Sequence, residues 1–352
     1  MPRAPRQAPR SPERPERPER PLRVAVLGAG NWGTVLAHLA GENGHDVRLW
    51  SRDEAQVAGL RRARETRAVP GLVISPRVAA TSRLDEALDG ADAVVPVVPA
   101  QALREVARQL GDVLRPSQMV IHATKGLELG THRRMSQVLE EETCAKQLGV
   151  LSGPNIAGEI ALGMPAGTVV TSRFPSVARV GKQLFAGPRF MVFVGNDVVG
   201  VELVGALKNV VAIAAGMASA MEVGENAMAL LVTRGLAEIT SIATALGARP
   251  GTLAGLAGVG DLMVTCRSAR SRNHRVGEAI ARGERLDEVV TKLGMVAEGV
   301  TTSIAARELA AVHGLACPLL EHVHRVLHEG MEPARALDEL FSMPTGRDVT
   351  WA

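Results

Sequence analysis

Two regimes of apolar and polar patterning divide this chain. As far as about residue 195, short valine- and leucine-rich runs recur between longer stretches whose apolar positions fall three or four apart. Leu22–Leu27 (LRVAVL) and Asp46–Trp50 (DVRLW) are read as buried strands, with a helix through Leu36, Leu39 and Ala40 between them. Strands with their C-terminal loops are expected in Ala91–Ala100, Met119–Glu128 and Val150–Gly163, and closing strands at Thr168–Ser172 and Phe190–Gly195. From Val198 on the strand signals vanish. Val198–Ala220 is almost wholly small and apolar, and Gly224–Ile239 continues a strongly apolar helical pattern. The pattern predicts an α/β, Rossmann-like domain with a mostly parallel sheet over residues 22–197, then an all-helical domain over 198–352.

Residues 1–21 stand outside both regimes. They contain a triple Pro-Glu-Arg repeat from Pro12 to Arg20 and almost no apolar side chains, a composition expected to stay disordered. Six arginines against three glutamates in this tail account for the whole formal net charge of +3, so the remainder is neutral and offers no basic patch for nucleic acid. The tail has no apolar run for a secretory signal, and its glutamates argue against a transit peptide. Its deletion is expected to leave kcat and Tm unchanged; a large loss of either would mean that the tail docks on the folded part. No stretch reaches about 18 uninterrupted apolar residues, so membrane insertion is not expected. Cys144, Cys266 and Cys317 are far apart and lack metal-ligand spacing, which points to buried free thiols in a reducing cytoplasm and to no metal site.

The candidate chemistry starts at the first strand. GAGNWG places Gly28, Gly30 and Gly33 in G-x-G-x-x-G spacing between a strand and a helix, a context in which the turn binds a dinucleotide pyrophosphate. At the end of the second strand Arg52 precedes Asp53. Arg52 suits the 2′-phosphate of NADP, which is modestly favoured; Asp53 would suit the ribose hydroxyl of NAD or cap the next helix. The strand-end loops present Lys125 with Gly126, and Gly153, Pro154 and Asn155, toward the cleft beyond the carboxyl ends of the sheet. Lys208 and Asn209 interrupt the apolar helix, where desolvation lowers a lysine pKa and makes it a usable proton donor; a snorkelling structural lysine is the alternative. The only other charge nearby is Glu202, off the Lys208 face. Asp261 follows a glycine-rich turn, and Arg267, Arg270, Ser271, Arg272, Asn273 and Arg275 gather after it as a phosphate site or a solvated basic loop. Glu298 opens another helix as ligand or cap.

These segments occur in one order: GAGNWGT, ATKGLE, LSGPNIAGEIA, GALKNVVAIAAG, NAMALLVTRGLAEI, GVGDLMVTC, SRNHRVG and VAEGVTT. From about residue 22 to residue 345 the chain resembles the bacterial type of NAD(P)-dependent sn-glycerol-3-phosphate dehydrogenase. The resemblance implies Lys208 as the proton-transferring lysine, with Lys125 as a second lysine near substrate and cofactor, and Asp261 is expected to orient Lys208 by a charged hydrogen bond. It implies substrate contacts at Gly153, Asn155, Asp261, Ser271, Arg272 and Asn273, and cofactor contacts at Asn31, Trp32, Arg52, Lys125, Ala157, Arg272, Val296 and Glu298. It also implies a homodimer that reversibly reduces dihydroxyacetone phosphate to sn-glycerol 3-phosphate for glycerophospholipid backbones. Ala100 stands where the family more often has serine, and Met228 where many members carry a cation. Two other readings are a β-hydroxyacid or ketopantoate reductase type of enzyme, and a non-catalytic NADP-binding sensor.

Overall fold

The computed structural model describes residues 20–65, 69–293 and 297–344, so most of the predicted tail lies outside the described residues. The strands are β1 (Arg23–Leu27), β2 (Asp46–Trp50), β3 (Val78–Thr81), β4 (Ala93–Pro96), β5 (Met119–His122), β6 (Leu148–Ser152), β7 (Ala166–Ser172) and β8 (Phe190–Gly195). They form one sheet in the order β3-β2-β1-β4-β5-β6-β7-β8. Only the β6–β7 pair is antiparallel. Among the described residues seven helices accompany the sheet: α1 (Asn31–Glu42), α2 (Glu54–Ala63), α3 (Leu84–Leu88), α4 (Ala100–Gly111), α5 (Met135–Glu142), α6 (Ala157–Ala161) and α7 (Pro175–Phe185). Strand residues alternate between the two faces, and both faces are covered. Val24 and Val26 join Leu36, Leu49 and Phe185 on one side, while Ala25 and Leu27 join Leu103, Leu110 and Met135 on the other.

Among the described residues everything after β8 is helical. The helices are α8 (Val198–Ala220), α9 (Glu225–Ala245), α10 (Pro250–Leu253), α11 (Asp261–Arg267), α12 (Arg272–Ala281), α13 (Leu286–Leu293), α14 (Glu298–Val312), α15 (Pro318–His328) and α16 (Pro333–Phe341). α8 is the central rod of this layer, buried along nearly its whole length. Glycines let α12 cross it at backbone contact: a Cβ on Gly216 would sit 2.0 Å from the His274 carbonyl oxygen, and one on Gly277 2.0 Å from that of Ile213. The crossing brings the N-terminus of α12, with Arg272 and Asn273, alongside the Lys208 helix. α8 and α9 have the length and apolar content of a membrane span, but 94% of the most apolar stretch of α8 is buried in the protein. Apolar side chains of the helical core reach Leu127 and Val150, so that core abuts the sheet.

Several sequence expectations are revised. Within Ala91–Ala100 the strand β4 ends at Pro96, as the prolines suggested, and α4 already begins at Ala100, because Pro96 and Pro99 lack backbone N–H groups to continue a ladder. Val150–Gly163 divides into β6 and the short α6. β3 was not anticipated; its VAAT run is too short and too small-chained to carry a strand signal. The three cysteines are free, but Cys144 is exposed while Cys266 and Cys317 are buried.

Candidate functional site

The glycine turn joins β1 to α1 beside the switch in strand order between β1 and β4. Gly28 has φ +120°, and a Cβ there would lie 2.5 Å from the Val97 carbonyl oxygen; a Cβ on Gly33 would lie 1.9 Å from that of Gly28. Both positions therefore require glycine. Gly30 has open space around it, so a ligand can approach its backbone. It caps α1 without a side-chain bond, and the first turn of α1 carries no acid, which leaves the helix N-terminus suited to a pyrophosphate. Exposed Asn31 and half-buried Trp32 open that helix. Trp32 Nε1 is buried without a hydrogen-bond partner, as is Glu298 Oε2, so the cleft holds unmet polar groups that fit a dinucleotide. At the end of β2, Asp53 Oδ1 accepts from the backbone N–H of Ala55 and Gln56 at 2.9 and 3.1 Å and so caps α2, while Arg52 is exposed.

Three charged side chains converge near the carboxyl end of β5. Lys125 comes from the loop after β5, Lys208 from the middle of α8, and Asp261 from the start of α11, directly after a single π-helical turn, Leu256–Gly260. Asp261 Oδ2 accepts from Lys125 Nζ at 2.6 Å, and its Oδ1 lies 2.9 Å from Lys208 Nζ. Lys208 Nζ also donates to Thr265 Oγ1 at 2.5 Å, and that hydroxyl donates to the Asp261 carbonyl oxygen at 2.6 Å. The expected contact of Lys208 with Asp261 is made, and the fold hides both side chains, each 4% exposed. Burial pushes the Lys208 ammonium down to about 8, with Asp261 resisting the shift and Lys125 adding to it. Burial acts to raise the Asp261 carboxyl, but the two ammonium groups prevail and hold it below its ordinary value. Cys266, beside Thr265, is pushed up to about 12 by burial and stays a neutral thiol. Thr265 escaped the sequence reading; its one local signal was its place one helical turn after Asp261.

The remaining expected residues have partners of their own. Lys125 Nζ donates to the Gly153 carbonyl oxygen at 3.0 Å. Asn155 Nδ2 donates to Thr168 Oγ1 at 3.1 Å, while its Oδ1 is buried without a partner and available to a ligand. Ser271 caps α12 by accepting from the His274 N–H at 3.3 Å, and Asn273 Oδ1 accepts from the Gly299 N–H at 3.0 Å. Arg272 keeps part of its surface in solvent, yet surrounding chain lowers its guanidinium pKa while Glu298 acts in the opposite sense. Glu298 Oε1 accepts from the Ala100 N–H at 3.2 Å, so the residue that stands for the commoner serine still meets this carboxylate through its backbone. Burial raises the Glu298 pKa; the Ala100 bond and Arg272 oppose it. Ala157 is the half-buried first residue of α6, and Met228 packs against the helical core. Val296 lies outside the described residues.

Comparison with known proteins matches both halves of the chain. The family model for the NAD-dependent glycerol-3-phosphate dehydrogenase N-terminus matches residues 23–178, and that for the C-terminus residues 197–338. A glycerol-3-phosphate dehydrogenase [NAD(P)+] of Geobacter sulfurreducens is 43% identical over 91% of this chain and 97% of its own. One from Levilactobacillus brevis is 42% identical over 90% and 96%. The crystal structure of glycerol-3-phosphate dehydrogenase from Coxiella burnetii superposes with a TM-score of 0.88 at 34% identity, covering 92% of this chain and 99% of that one.

Proposed function

Because the chain belongs to the NAD-dependent glycerol-3-phosphate dehydrogenase family, we propose that it interconverts dihydroxyacetone phosphate and sn-glycerol 3-phosphate. NAD or NADP, when bound, supplies or accepts the hydride. The observation that carries the reading is the Lys208–Asp261–Lys125 cluster, in which Lys208 and Asp261 are buried and Lys125 comes from the loop at the carboxyl end of β5, the same edge of the parallel strands as the glycine turn after β1. It suits carbonyl reduction. As the C2 carbonyl becomes an alcohol, negative charge develops on its oxygen, and Lys208 delivers the proton that neutralises it. Lys125 stabilises the same charge in a site of low dielectric, and Asp261 holds both ammonium groups in place. Thr265 fixes the Lys208 rotamer. Arg272, Ser271 and Asn273 hold the substrate phosphate, with Gly153 and Asn155 along the carbon chain, so that remote binding energy orients the reacting carbon.

On the cofactor side Gly28, Gly30 and Gly33 form the pyrophosphate turn, Asn31 and Trp32 border it, and Ala157, Lys125, Arg272 and Glu298 complete the cleft. We assign the nucleotide-binding domain to residues 22–197 and the substrate domain to 198–352, with the trio at their junction. A screen of phosphorylated and unphosphorylated ketones, followed by loss of reduced-nicotinamide absorbance, tests the reading. Turnover of an unphosphorylated keto acid in preference to dihydroxyacetone phosphate would move the enzyme to the ketopantoate or β-hydroxyacid class, and turnover of nothing would favour a sensor.

NADP is preferred in this reading. Asp53 is committed to capping α2, which leaves the exposed Arg52 at the end of β2 to meet a 2′-phosphate. Arg52→Ala should therefore raise KM for NADPH far more than for NADH, by a factor equivalent to roughly 1.5–3 kcal/mol for a charged hydrogen bond. Equal effects on both cofactors would return the ribose to Asp53. The homodimer is carried by the family resemblance, and sedimentation velocity reads its mass. Three free cysteines suit the cytoplasmic setting.

A further inference from the structure

One buried carboxylate away from the reacting groups is satisfied by residues of the other layer. Glu202 lies on the second turn of α8 with its side chain 2% exposed. Its Oε1 accepts from the Ser136 backbone N–H at 2.7 Å and lies 3.0 Å from His122 Nε2. Its Oε2 accepts from Ser136 Oγ at 2.7 Å and from Arg134 Nη1. Arg134 Nη1 also reaches Ser136 Oγ at 2.8 Å, which closes the cluster. Burial opposes ionisation of Glu202, but His122, Arg134 and Ser136 outweigh it and hold the carboxyl down to about 2.

The partners of Glu202 are informative by their positions. His122 is the last residue of β5, and Arg134 and Ser136 flank the first residue of α5. Between them runs the loop that carries Lys125, drawn together by the antiparallel bridge of Leu127 with Arg134. Glu202 thus hydrogen-bonds the α5 end of the Lys125 loop and lies against His122 at its β5 end, and it belongs to the helix that carries Lys208. We infer that Glu202 is a positioning residue for the proton-transfer site, tying the Lys125 loop to the Lys208 helix so that Asp261 can bridge the two lysines. The two ammonium groups repel each other, so the attraction of Asp261 is opposed unless loop and helix are also held in register. The clamp sets that register before substrate arrives, which is the condition for a pre-organised site.

The inference rests on the assignment of Lys208 as proton donor, and its test separates the two. Glu202→Gln retains side-chain volume but places an amide NH2 among the donors of Ser136 and Arg134. Loosening the loop should lower kcat for dihydroxyacetone phosphate reduction by about 10–100-fold, with only a smaller rise in KM for the nicotinamide cofactor that Lys125 borders. It should also move the alkaline limb of kcat. The ionisable groups acting on Lys208 are Asp261, Lys125 and Cys266; Lys125 lowers its pKa and Asp261 raises it. Withdrawal of Lys125 removes the first influence and frees Asp261 for Lys208, so the limb should shift to higher pH.

Glu238→Gln is the stability control. This buried carboxylate on α9 accepts from the Leu319 and Leu320 N–H groups at 2.9 and 3.0 Å, at the start of α15, and its loss should lower Tm with kcat and pH profile unchanged. Should Glu202→Gln not accumulate as folded protein, Ser136→Ala removes one bond to the carboxylate and should show the same two changes on a smaller scale. If Glu202→Gln, or Ser136→Ala in its place, behaves like the control, losing only Tm, then Glu202 is a structural anchor and the inference fails. If Lys208→Met is inactive at the same time, the proposed function survives that failure; an active Lys208→Met would overturn the donor assignment itself.

Discussion

Lys208→Met is expected to lower kcat for dihydroxyacetone phosphate by about 10²–10⁴-fold, the scale of a lost general acid. The variant should still bind NADPH, because the glycine turn is untouched. Methionine matches the length of the lysine stem and is at home among the apolar neighbours of α8. Its cost to stability follows from Asp261. Leaving a buried charge wholly unpaired costs roughly 3–5 kcal/mol, but Asp261 keeps its bond to Lys125 at 2.6 Å, so the loss should fall below that range. Single-turnover kinetics together with a melting curve measure both quantities. Retention of most of the turnover would make Lys208 structural and promote Lys125 to donor.

The same residue sets a pH dependence whose sign can be stated. Burial holds the Lys208 pKa down to about 8, so the donor form is populated below that value and lost above it. Reduction of the ketone should decline as pH rises through about 8, while the reverse oxidation, which needs the neutral amine as base, should rise over the same interval. Opposite limbs in the two directions identify one group serving as acid and base.

Arg272→Ala is expected to act on the substrate instead of the proton. Loss of a charge-assisted contact with phosphate is worth roughly 1.5–3 kcal/mol, or about 10–150-fold in KM for dihydroxyacetone phosphate. KM for unphosphorylated dihydroxyacetone should change much less, because that ketone never used the guanidinium. Steady-state kinetics with both ketones decides the matter. A KM that rises equally for the two would place Arg272 outside the phosphate site. Arg272 also lies near Glu298 on the cofactor side, so a parallel rise in KM for NADPH is part of the expected result.

Local signals in the chain determined a good part of this protein. The strand–glycine–helix unit from Arg23 to Glu42, the change from strands to helices after Gly195, and the ammonium set in an apolar helix are legible because each depends on neighbours within one or two turns. The ordered motifs carried the family for the same reason. Tertiary structure alone decided how those pieces meet. Lys125 and Asp261 are 136 positions apart and share one hydrogen bond, which no periodicity can announce. Asp53 could be read as ribose ligand or as cap until α2 showed which N–H groups it serves. Glu202, off the Lys208 face of its own helix, looked idle until β5 and the start of α5 were packed against it. Propensity and hydrophobic pattern act over a few residues, whereas the cost of burying a charge is met by whichever partner the folded chain brings within about 3 Å, and that partner is chosen by packing.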